Sequence, residues 1–414
     1  MPHLHAVVNL RILACNACCM SAAKRELEFH ESEQSTLLMY HVWDQLKAQL
    51  GRVEIRCPME LATQLQLPSS SQLSSLQEFS FKPFSLKFDL GHGENPSYAE
   101  ILSRTVVPFL KGHQRTLRDV SFRPVTMLSL DVSPILQCLQ DMPPLDKIQI
   151  GFLFLSMEET PFNGLPTFRA HRNSLKTLTL YFKTCLACLE IQGPSFFCQD
   201  WCLVDLPHLT NLTLITPQMS FCPSFANYVR QFATSLVSLT IPYNLEFTYS
   251  DVKEFCKTLV EFRSLRHLNL SVQGFSPSTL AQFAGVLPRL RSLILNYKFI
   301  CPYQDNGDYV PTLLPRLASF QALFILSTHM IYIYAQFQCE MMKYQRRFSR
   351  WELESLAYQA NIYTGACTDN HPYLTRKTKK PLVDYLPGVQ QFCYVGREEF
   401  LQGPDFGRSN YDLW

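Results

Sequence analysis

The sequence predicts an α/β fold built from one repeated strand-and-helix unit. The first observation is a pattern, LxxLxL, that returns at Leu209, Leu236, Leu265 and Leu290. The last four residues of each copy alternate apolar and polar, as in a half-buried strand. The second observation is that the intervals carry apolar residues at helical spacing. Because strand and helix signals alternate in phase, the pattern indicates a leucine-rich repeat.

We therefore expect a leucine-rich repeat solenoid, a horseshoe with a parallel concave sheet, helices on the convex side and about 10 to 12 irregular repeats. The solenoid is predicted over residues 1–338, less regular before about residue 100. Residues 339–414 are predicted to be a C-terminal capping segment with a possible last repeat. Further copies of the pattern begin at Val7, Leu50, Leu76, Leu117, Leu145, Leu175 and Phe320, and weakly at Val389.

Two helix starts are predicted from capping signals. Before Leu265, Ser250 is a candidate N-cap, with Asp251 in the first turn where the helix dipole favours an acidic group. Before Leu290, Ser276 is a candidate N-cap and Pro277 a first helical residue.

Composition limits the function classes. The chain has 414 residues, 47% of them hydrophobic, and a net charge of +2, so it should fold and should not bind nucleic acid nonspecifically. Its 15 scattered cysteines suit a reducing compartment, the cytoplasm or nucleus. The uncharged run between Arg316 and Glu340 is long enough to span a bilayer, but its polar residues and its in-phase repeat favour a solenoid strand. We expect a monomer without a membrane span.

No pattern of catalytic, cofactor-binding or metal-binding residues points to an enzyme. The best metal candidate is the cluster Cys185, Cys188, Cys198 and Cys202, whose four thiolates would satisfy tetrahedral zinc. Cys185, however, occupies an inward position of the repeat, so packing is the commoner reading of these cysteines. A zinc-binding module and an enzyme of unrecognised type stay open as alternatives.

The polar strand positions are the predicted partner-binding surface. They should project from the concave sheet into solvent, where hydroxyl, amide and Tyr side chains suit protein recognition. In chain order these sites are Lys147, Gln149, Thr177, Thr179, Asn211, Thr213, Ser238, Thr240, His267, Asn269 and Ser292, with Tyr181, Tyr243 and Tyr297 beside them.

With its LxxLxL strands, alternating helices and scattered cysteines, the chain resembles the repeat portion of fungal F-box proteins over roughly residues 100 to 330. The resemblance implies a substrate receptor whose N-terminal F-box docks on the Skp1 adaptor of a cullin ubiquitin ligase. An F-box opens with Leu-Pro and an apolar helix, whereas Leu67 and Pro68 are followed here by serines. Either the module is absent, or the chain is a shortened form, or the ligase role is lost, and each reading counts against docking on Skp1. The sequence thus predicts a non-enzymatic protein-binding scaffold.

Overall fold

A computed structural model describes the chain in two compact units, residues 1–209 with 413–414 (unit 1) and residues 210–412 (unit 2). Each unit has its own run of parallel strands. The described residues are 9–14, 27–29, 50–62, 67, 73–84, 98–123, 131–154, 164–184, 197–215, 222–242, 247–300, 341–360, 384–386, 388 and 391–394.

Unit 1 contains seven described strands in the spatial order β2-β1-β3-β4-β5-β6-β7, all parallel to their neighbours. The strands are β1 Asn9–Ala14, β2 Leu27–Phe29, β3 Arg52–Pro58, β4 Glu78–Phe84, β5 Asp119–Phe122, β6 Lys147–Phe154 and β7 Thr177–Thr184. The helices are α1 Met59–Ala62, α2 Tyr98–Arg104, α3 Val106–His113, α4 Ser133–Gln140 and α5 Leu165–Ala170, with a 3-10 helix at Asp200–Leu203.

Unit 2 contains six described strands in sequential order, β8 to β13, with every paired neighbour parallel. They are β8 Asn211–Ile215, β9 Ser238–Ile241, β10 His267–Phe275, β11 Ser292–Ile300, β12 Ser355–Ala360 and β13 Gln391–Tyr394. The helices are α6 Pro223–Arg230, α7 Tyr249–Leu259 and α8 Pro277–Val286, and residues 341–348 are also helical.

Strand register confirms the repeat prediction. In unit 2 the fourth pattern residue pairs across neighbouring strands, Leu212 with Leu239, Leu239 with Leu268, and Leu268 with Leu293. All four side chains are fully buried. Since strand side chains alternate with a period of two, a slip of one residue would bring the polar positions into the core. Strand, helix and register together make this a leucine-rich repeat fold.

Aromatic side chains fill the space between helices and strands. In unit 2 the rings of Phe225, Phe247 and Phe255 form a triangle with centroid distances of 6.3, 5.9 and 5.1 Å, and none is more than 1% exposed. In unit 1, Phe79 and Phe109 lie 4.6 Å apart and join β4 to α3. Aromatic pairs at such distances stabilise a core beyond their buried area.

A main-chain clamp joins neighbouring described repeats within each unit. The carbonyl oxygen of Arg266 accepts hydrogen bonds from the N–H groups of Arg291 and Ser292, at 2.8 and 2.9 Å. The carbonyl oxygen of Thr210 accepts in the same way from Val237 and Ser238. In unit 1 the carbonyls of Gly51, Gln77, Arg118 and Asp146 repeat the arrangement. The clamp always uses the second pattern residue, so it fixes where each strand begins.

One strand was not predicted. β12 pairs directly with β11, from Ser292 opposite Ser355 to Tyr297 opposite Ala360, so the next strand after residue 300 in the described sheet begins at Ser355. It belongs to a copy of the pattern, LESLAY from Leu353, in the segment predicted as a cap. The predicted strand at Phe320 lies outside the described residues. β13 falls on the weak copy that begins at Val389.

The two predicted helix starts have different outcomes. Ser276 is the N-cap of α8, and its Oγ accepts from the N–H of Thr279 at 3.1 Å, as predicted. The prediction of Ser250 as N-cap of α7 was wrong, because the cap is Thr248. Thr248 Oγ1 accepts from the N–H of Asp251 at 3.2 Å, and an Asp251 oxygen accepts from the N–H of Thr248 at 2.9 Å. This reciprocal capping box satisfies two helix-end donors, which Ser250 could not.

Over the described part of the chain, the structure has no helix that is both long and apolar enough to cross a membrane. The uncharged run between Arg316 and Glu340 lies outside that part.

Candidate functional site

The third and fifth residues of each pattern copy lie on the face of the sheet opposite the leucine core, which we call the strand face. In β10 these residues are His267 and Asn269, which alternate with the core residues Leu268 and Leu270. Parallel pairing sets equivalent residues side by side, as with His267 between Ser238 and Ser292. Each unit thus carries rows of aligned polar side chains about 4.8 Å apart.

The predicted site residues whose side chains are described lie on this face, but more than half of them are buried, and for these the predicted exposure was wrong. Lys147, Gln149, Thr177, Asn211 and His267 are half-buried, and so remain partly accessible. The buried ones are Thr179, Tyr181, Thr213, Ser238, Thr240, Asn269 and Ser292. Tyr243 lies outside the described residues, and only the backbone of Tyr297 is described.

Position along the strand explains part of the difference. The fifth pattern residue lies inside the strand, where short side chains are flanked on both sides by neighbours only about 4.8 Å away. The third residue lies at the strand start, and there Asn211 and His267 keep partial exposure. Among the described copies, the row of third residues is therefore the more accessible row, although Ser238 and Ser292 within it are buried.

Several buried polar atoms on the strand face of unit 2 have no hydrogen-bond partner. They are Ser238 Oγ, Thr240 Oγ1 and Asn296 Oδ1, in residues at least nine-tenths buried. The other amide atom of Asn296 donates to Ser271 Oγ at 3.4 Å. A buried polar atom without a partner destabilises a fold by about 1 to 3 kcal/mol. This part of the face is polar but incompletely hydrogen-bonded.

Unit 1 has a charged strand face that was not predicted as a site. Lys82 Nζ lies 2.8 Å from Glu54 Oε1, with both side chains only 9% exposed. Arg52 lies 3.5 Å from both Glu54 and Glu78. The signal was present in the sequence, because the copies at Leu50 and Leu76 place Arg52, Glu54 and Glu78 at third and fifth positions. The prediction of site residues did not include the polar positions of these two copies.

The same ionic network reaches two further strands. Asp119 pairs in register with Glu78 on one side and Lys147 on the other. Burial raises the pKa of the Asp119 carboxyl, and Lys147 opposes this shift while Glu78 adds to it. At the far end of β5, the guanidinium of Arg123 lies 4.5 Å above the ring of Tyr181, a cation–π contact.

Three of the described cysteines have buried thiols that are suited to core packing. Burial raises the pKa of the Cys138 thiol to about 11 and that of Cys256 to about 12, and it also raises the pKa of Cys202. A thiol so shifted stays protonated near neutral pH and is a poor nucleophile.

The predicted zinc cluster is only half described. Cys198 is exposed and Cys202 buried, whereas Cys185 and Cys188 lie outside the described residues. Among the described His, Cys, Asp and Glu side chains, no group of three or more is placed to hold a metal ion. The zinc site stays a prediction.

No family model and no curated relative matches the sequence. Among solved structures, the chain is similar to the crystal structure of a TLR13–ssRNA13 complex, with a TM-score of 0.37 and 13% identity. The alignment covers 85% of this chain and 43% of the other, so the chain spans less than half of that protein's length. The fold assignment rests on the strand register and the repeated clamp.

Proposed function

We propose that this protein is a non-enzymatic protein-binding scaffold that recognises its partner with the accessible row of the strand face. The observation that carries the proposal is the register itself, which aligns polar side chains of neighbouring repeats in one row. In unit 2 this row includes Asn211 and His267, both half-buried. Side chains held at fixed spacing on strands lose little entropy on binding, which favours specific recognition.

The reactive side chains described support a binding function. The raised pKa values of Cys138, Cys202 and Cys256 keep these thiols protonated. His171 uses both ring nitrogens in hydrogen bonds to main-chain atoms of Leu139 and Leu145. Groups engaged in this way hold the fold together and are not poised for general base or nucleophilic chemistry.

The test is a charge introduced on the accessible row. Asn211→Glu with His267→Glu should abolish capture of a partner identified by crosslinking and mass spectrometry, because two unpaired carboxylates would then face it. Lys253→Glu is the matched control, an exposed change on α7 beside Lys257. Both proteins should melt within a few degrees of the wild type. Loss of capture in the control alone would move recognition to the helices and overturn the proposal.

A finer version of the proposal is that the scaffold holds substrates as the repeats of an F-box ubiquitin-ligase receptor do, in the cytoplasm or nucleus. The resemblance of the repeat pattern supports it, and the free thiols of Cys138, Cys222 and Cys256 suit a reducing compartment. Co-purification with Skp1 and a cullin tests it. We expect this receptor to lack the element that docks on Skp1. Stoichiometric binding to purified Skp1 would contradict that expectation, whereas capture of a cullin through another adaptor would support it.

A further inference from the structure

Unit 2 has a second polar surface, at the turns where a helix passes into the next strand. Arg263 and Arg266 flank the turn before β10, and Arg289 and Arg291 occupy the turn before β11. Three of these side chains are exposed and that of Arg266 is half-buried. These four residues form what we call the arginine edge.

Hydrogen bonds to main-chain carbonyls hold the arginine edge together. Arg266 Nη1 donates to the carbonyl oxygens of Arg263, at 3.3 Å, and Leu265, at 3.2 Å, so this guanidinium lies over its own turn. The N–H of Arg291 donates to the carbonyl of Arg266 at 2.8 Å, as part of the clamp. Neighbouring repeats are therefore about 4.8 Å apart at this edge, well within a Debye length of about 8 Å. Their positive charges reinforce one another.

Nearby carboxylates do not neutralise the arginine edge. Arg291 Nε lies 3.7 Å from Glu354 Oε1, but both side chains are more than half exposed, so solvent screens this pair. Glu261 pairs instead with Arg230, at 3.1 Å. Within the described residues, the guanidinium groups of Arg263 and Arg289 form no ion pair with a carboxylate. The edge has a surplus of positive charge.

The equivalent turns of unit 1 carry acidic as well as basic residues. Arg115 and Arg118 stand at the same offsets from Leu117 as Arg263 and Arg266 from Leu265. The next repeat, however, places Asp146 at the clamp position, and it pairs with Lys176 at 2.9 Å. Basic and acidic residues thus alternate at the clamp positions of unit 1, whereas in unit 2 two successive clamp positions, Arg266 and Arg291, are basic before Glu354 follows.

We propose that the arginine edge binds an acidic segment of a protein partner, whose Asp or Glu carboxylates pair with the guanidinium groups. A guanidinium presents paired N–H donors that match the two oxygens of a carboxylate. A nucleic acid fits less well, because the chain's net charge of only +2 gives no long-range attraction for a polyphosphate. The inference rests on the proposed function in that the ligand is a protein, but it uses a different surface.

The probe is a fluorescein-labelled dodecapeptide of alternating Glu and Ser, titrated with the full-length protein and followed by fluorescence anisotropy. The reference probes are the same peptide with Gln for Glu and a uridine dodecanucleotide. We expect the Glu peptide to bind at least about tenfold more tightly than the Gln peptide, and to weaken as salt is raised. Arg263→Glu with Arg289→Glu should reduce its affinity by at least about tenfold, and both sites are exposed, so the fold should persist.

Arg115→Glu with Arg118→Glu is the matched control in unit 1, and it should change the affinity by less than about twofold. If charge reversal lowers the melting temperature, Arg263→Gln with Arg289→Gln replaces it, with the same direction expected. Equal binding of the Gln peptide, tighter binding of the oligonucleotide, or an equal loss in the unit 1 control would each overturn the inference. The proposed function fails separately, when the strand-face variant of Asn211 and His267 still captures the partner protein, a readout that does not involve the peptide.

Discussion

Unit 1 and unit 2 present the same strand positions with different side chains. The third pattern residues of β3 to β6 in unit 1 are Arg52, Glu78, Asp119 and Lys147, all charged. Those of β8 to β11 in unit 2 are Asn211, Ser238, His267 and Ser292. Both sets stand in register on parallel strands above a leucine core. Backbone geometry and recognition chemistry are therefore independent in this fold, and each unit is suited to a different kind of ligand surface.

The strand faces of the two units also differ in how completely their buried polar groups are hydrogen-bonded. In unit 1 the charged groups satisfy one another, as Lys82 does with Glu54. In unit 2 the neutral groups leave atoms of Ser238, Thr240 and Asn296 without partners. A charged face cannot leave buried groups unpaired, because an unpaired buried charge is far more unfavourable than an unpaired hydroxyl. The neutral face tolerates incomplete pairing, which leaves hydrogen-bonding capacity for a ligand.

Both units share the leucine core, so deleting a core leucine should destabilise each unit by a similar amount. Leu178→Ala in unit 1 and Leu268→Ala in unit 2 each delete a fully buried fourth pattern residue. Each should lower the free energy of unfolding of its unit by about 2 to 5 kcal/mol, through lost burial and the cavity left behind. Urea denaturation followed by circular dichroism measures this. An unmoved midpoint in either variant would show that the register of that unit is wrong.

Breaking the buried ion pair of unit 1 should have the second-largest effect on stability. Lys82→Ala leaves the Glu54 carboxylate largely buried and removes the ammonium group at 2.8 Å, while Arg52 stays at 3.5 Å. We expect a loss of about 2 kcal/mol in the free energy of unfolding. The double variant Glu54→Leu with Lys82→Met should recover most of that loss, since no charge is then left unpaired. If the double variant is less stable than Lys82→Ala, the pair is not the source of the effect.

One substitution made in both units separates paired from unpaired hydroxyls. Thr167 in unit 1 donates to the Leu136 carbonyl at 2.9 Å, whereas Thr240 Oγ1 in unit 2 has no partner. Both residues are buried. Thr167→Val should destabilise the protein by about 1 kcal/mol, whereas Thr240→Val should leave it unchanged or slightly more stable. Thermal melts of the two variants compare them directly, and equal losses would indicate that Thr240 is hydrogen-bonded.

The smallest expected effect is a pH dependence in unit 1. His171 Nδ1 accepts from the N–H of Leu145 at 3.2 Å and Nε2 lies 2.8 Å from the Leu139 carbonyl, so the neutral ring is the native form. Burial lowers the pKa of His171, and the hydrogen bond to Leu139 only partly opposes this. The unfolded chain therefore binds more protons below about pH 6.5, and stability is full above that pH and lost as pH falls.

Between pH 7 and pH 6 the loss from His171 should be at most about 0.7 kcal/mol. His171→Gln retains a donor and an acceptor but cannot be protonated, so it should flatten this part of the stability profile measured by urea denaturation. An unchanged slope in His171→Gln would assign the pH dependence to another group.

Much of the fold was predictable because the leucine positions repeat. Leu212, Leu239 and Leu268 pair as the pattern implied, and Ser276 caps α8 as predicted. The strand at Ser355 was missed because its pattern copy begins more than two ordinary repeat lengths after the copy at Leu290. Repeat spacing alone could not locate it. The cap of α7 was misplaced because a capping box depends on a reciprocal bond between Thr248 and Asp251, which one Ser beside an Asp does not reveal.

The candidate site was predicted less well than the fold. Alternation shows which side of the sheet Thr179 and Asn269 lie on, but not how closely their neighbours cover them, and both are buried. The arginine edge was missed because the second pattern residue belongs to a turn and was not considered part of the strand. Its importance follows only from the clamp, which sets Arg266 and Arg291 beside each other.

The clamp has a consequence for how such a chain can change. Its donors and acceptors are all main-chain atoms, and the residue that supplies the carbonyl is Gly51 in one repeat, Asp146 in another and Val237 or Arg291 in others. Any residue except proline, which lacks the N–H donor, is compatible with the joint between repeats, so this line of positions can be rewritten residue by residue without re-establishing the fold. A library randomised only at these positions would sample new specificities on an unchanged backbone, and the mutational tolerance of the line should exceed that of the leucines one and two residues away.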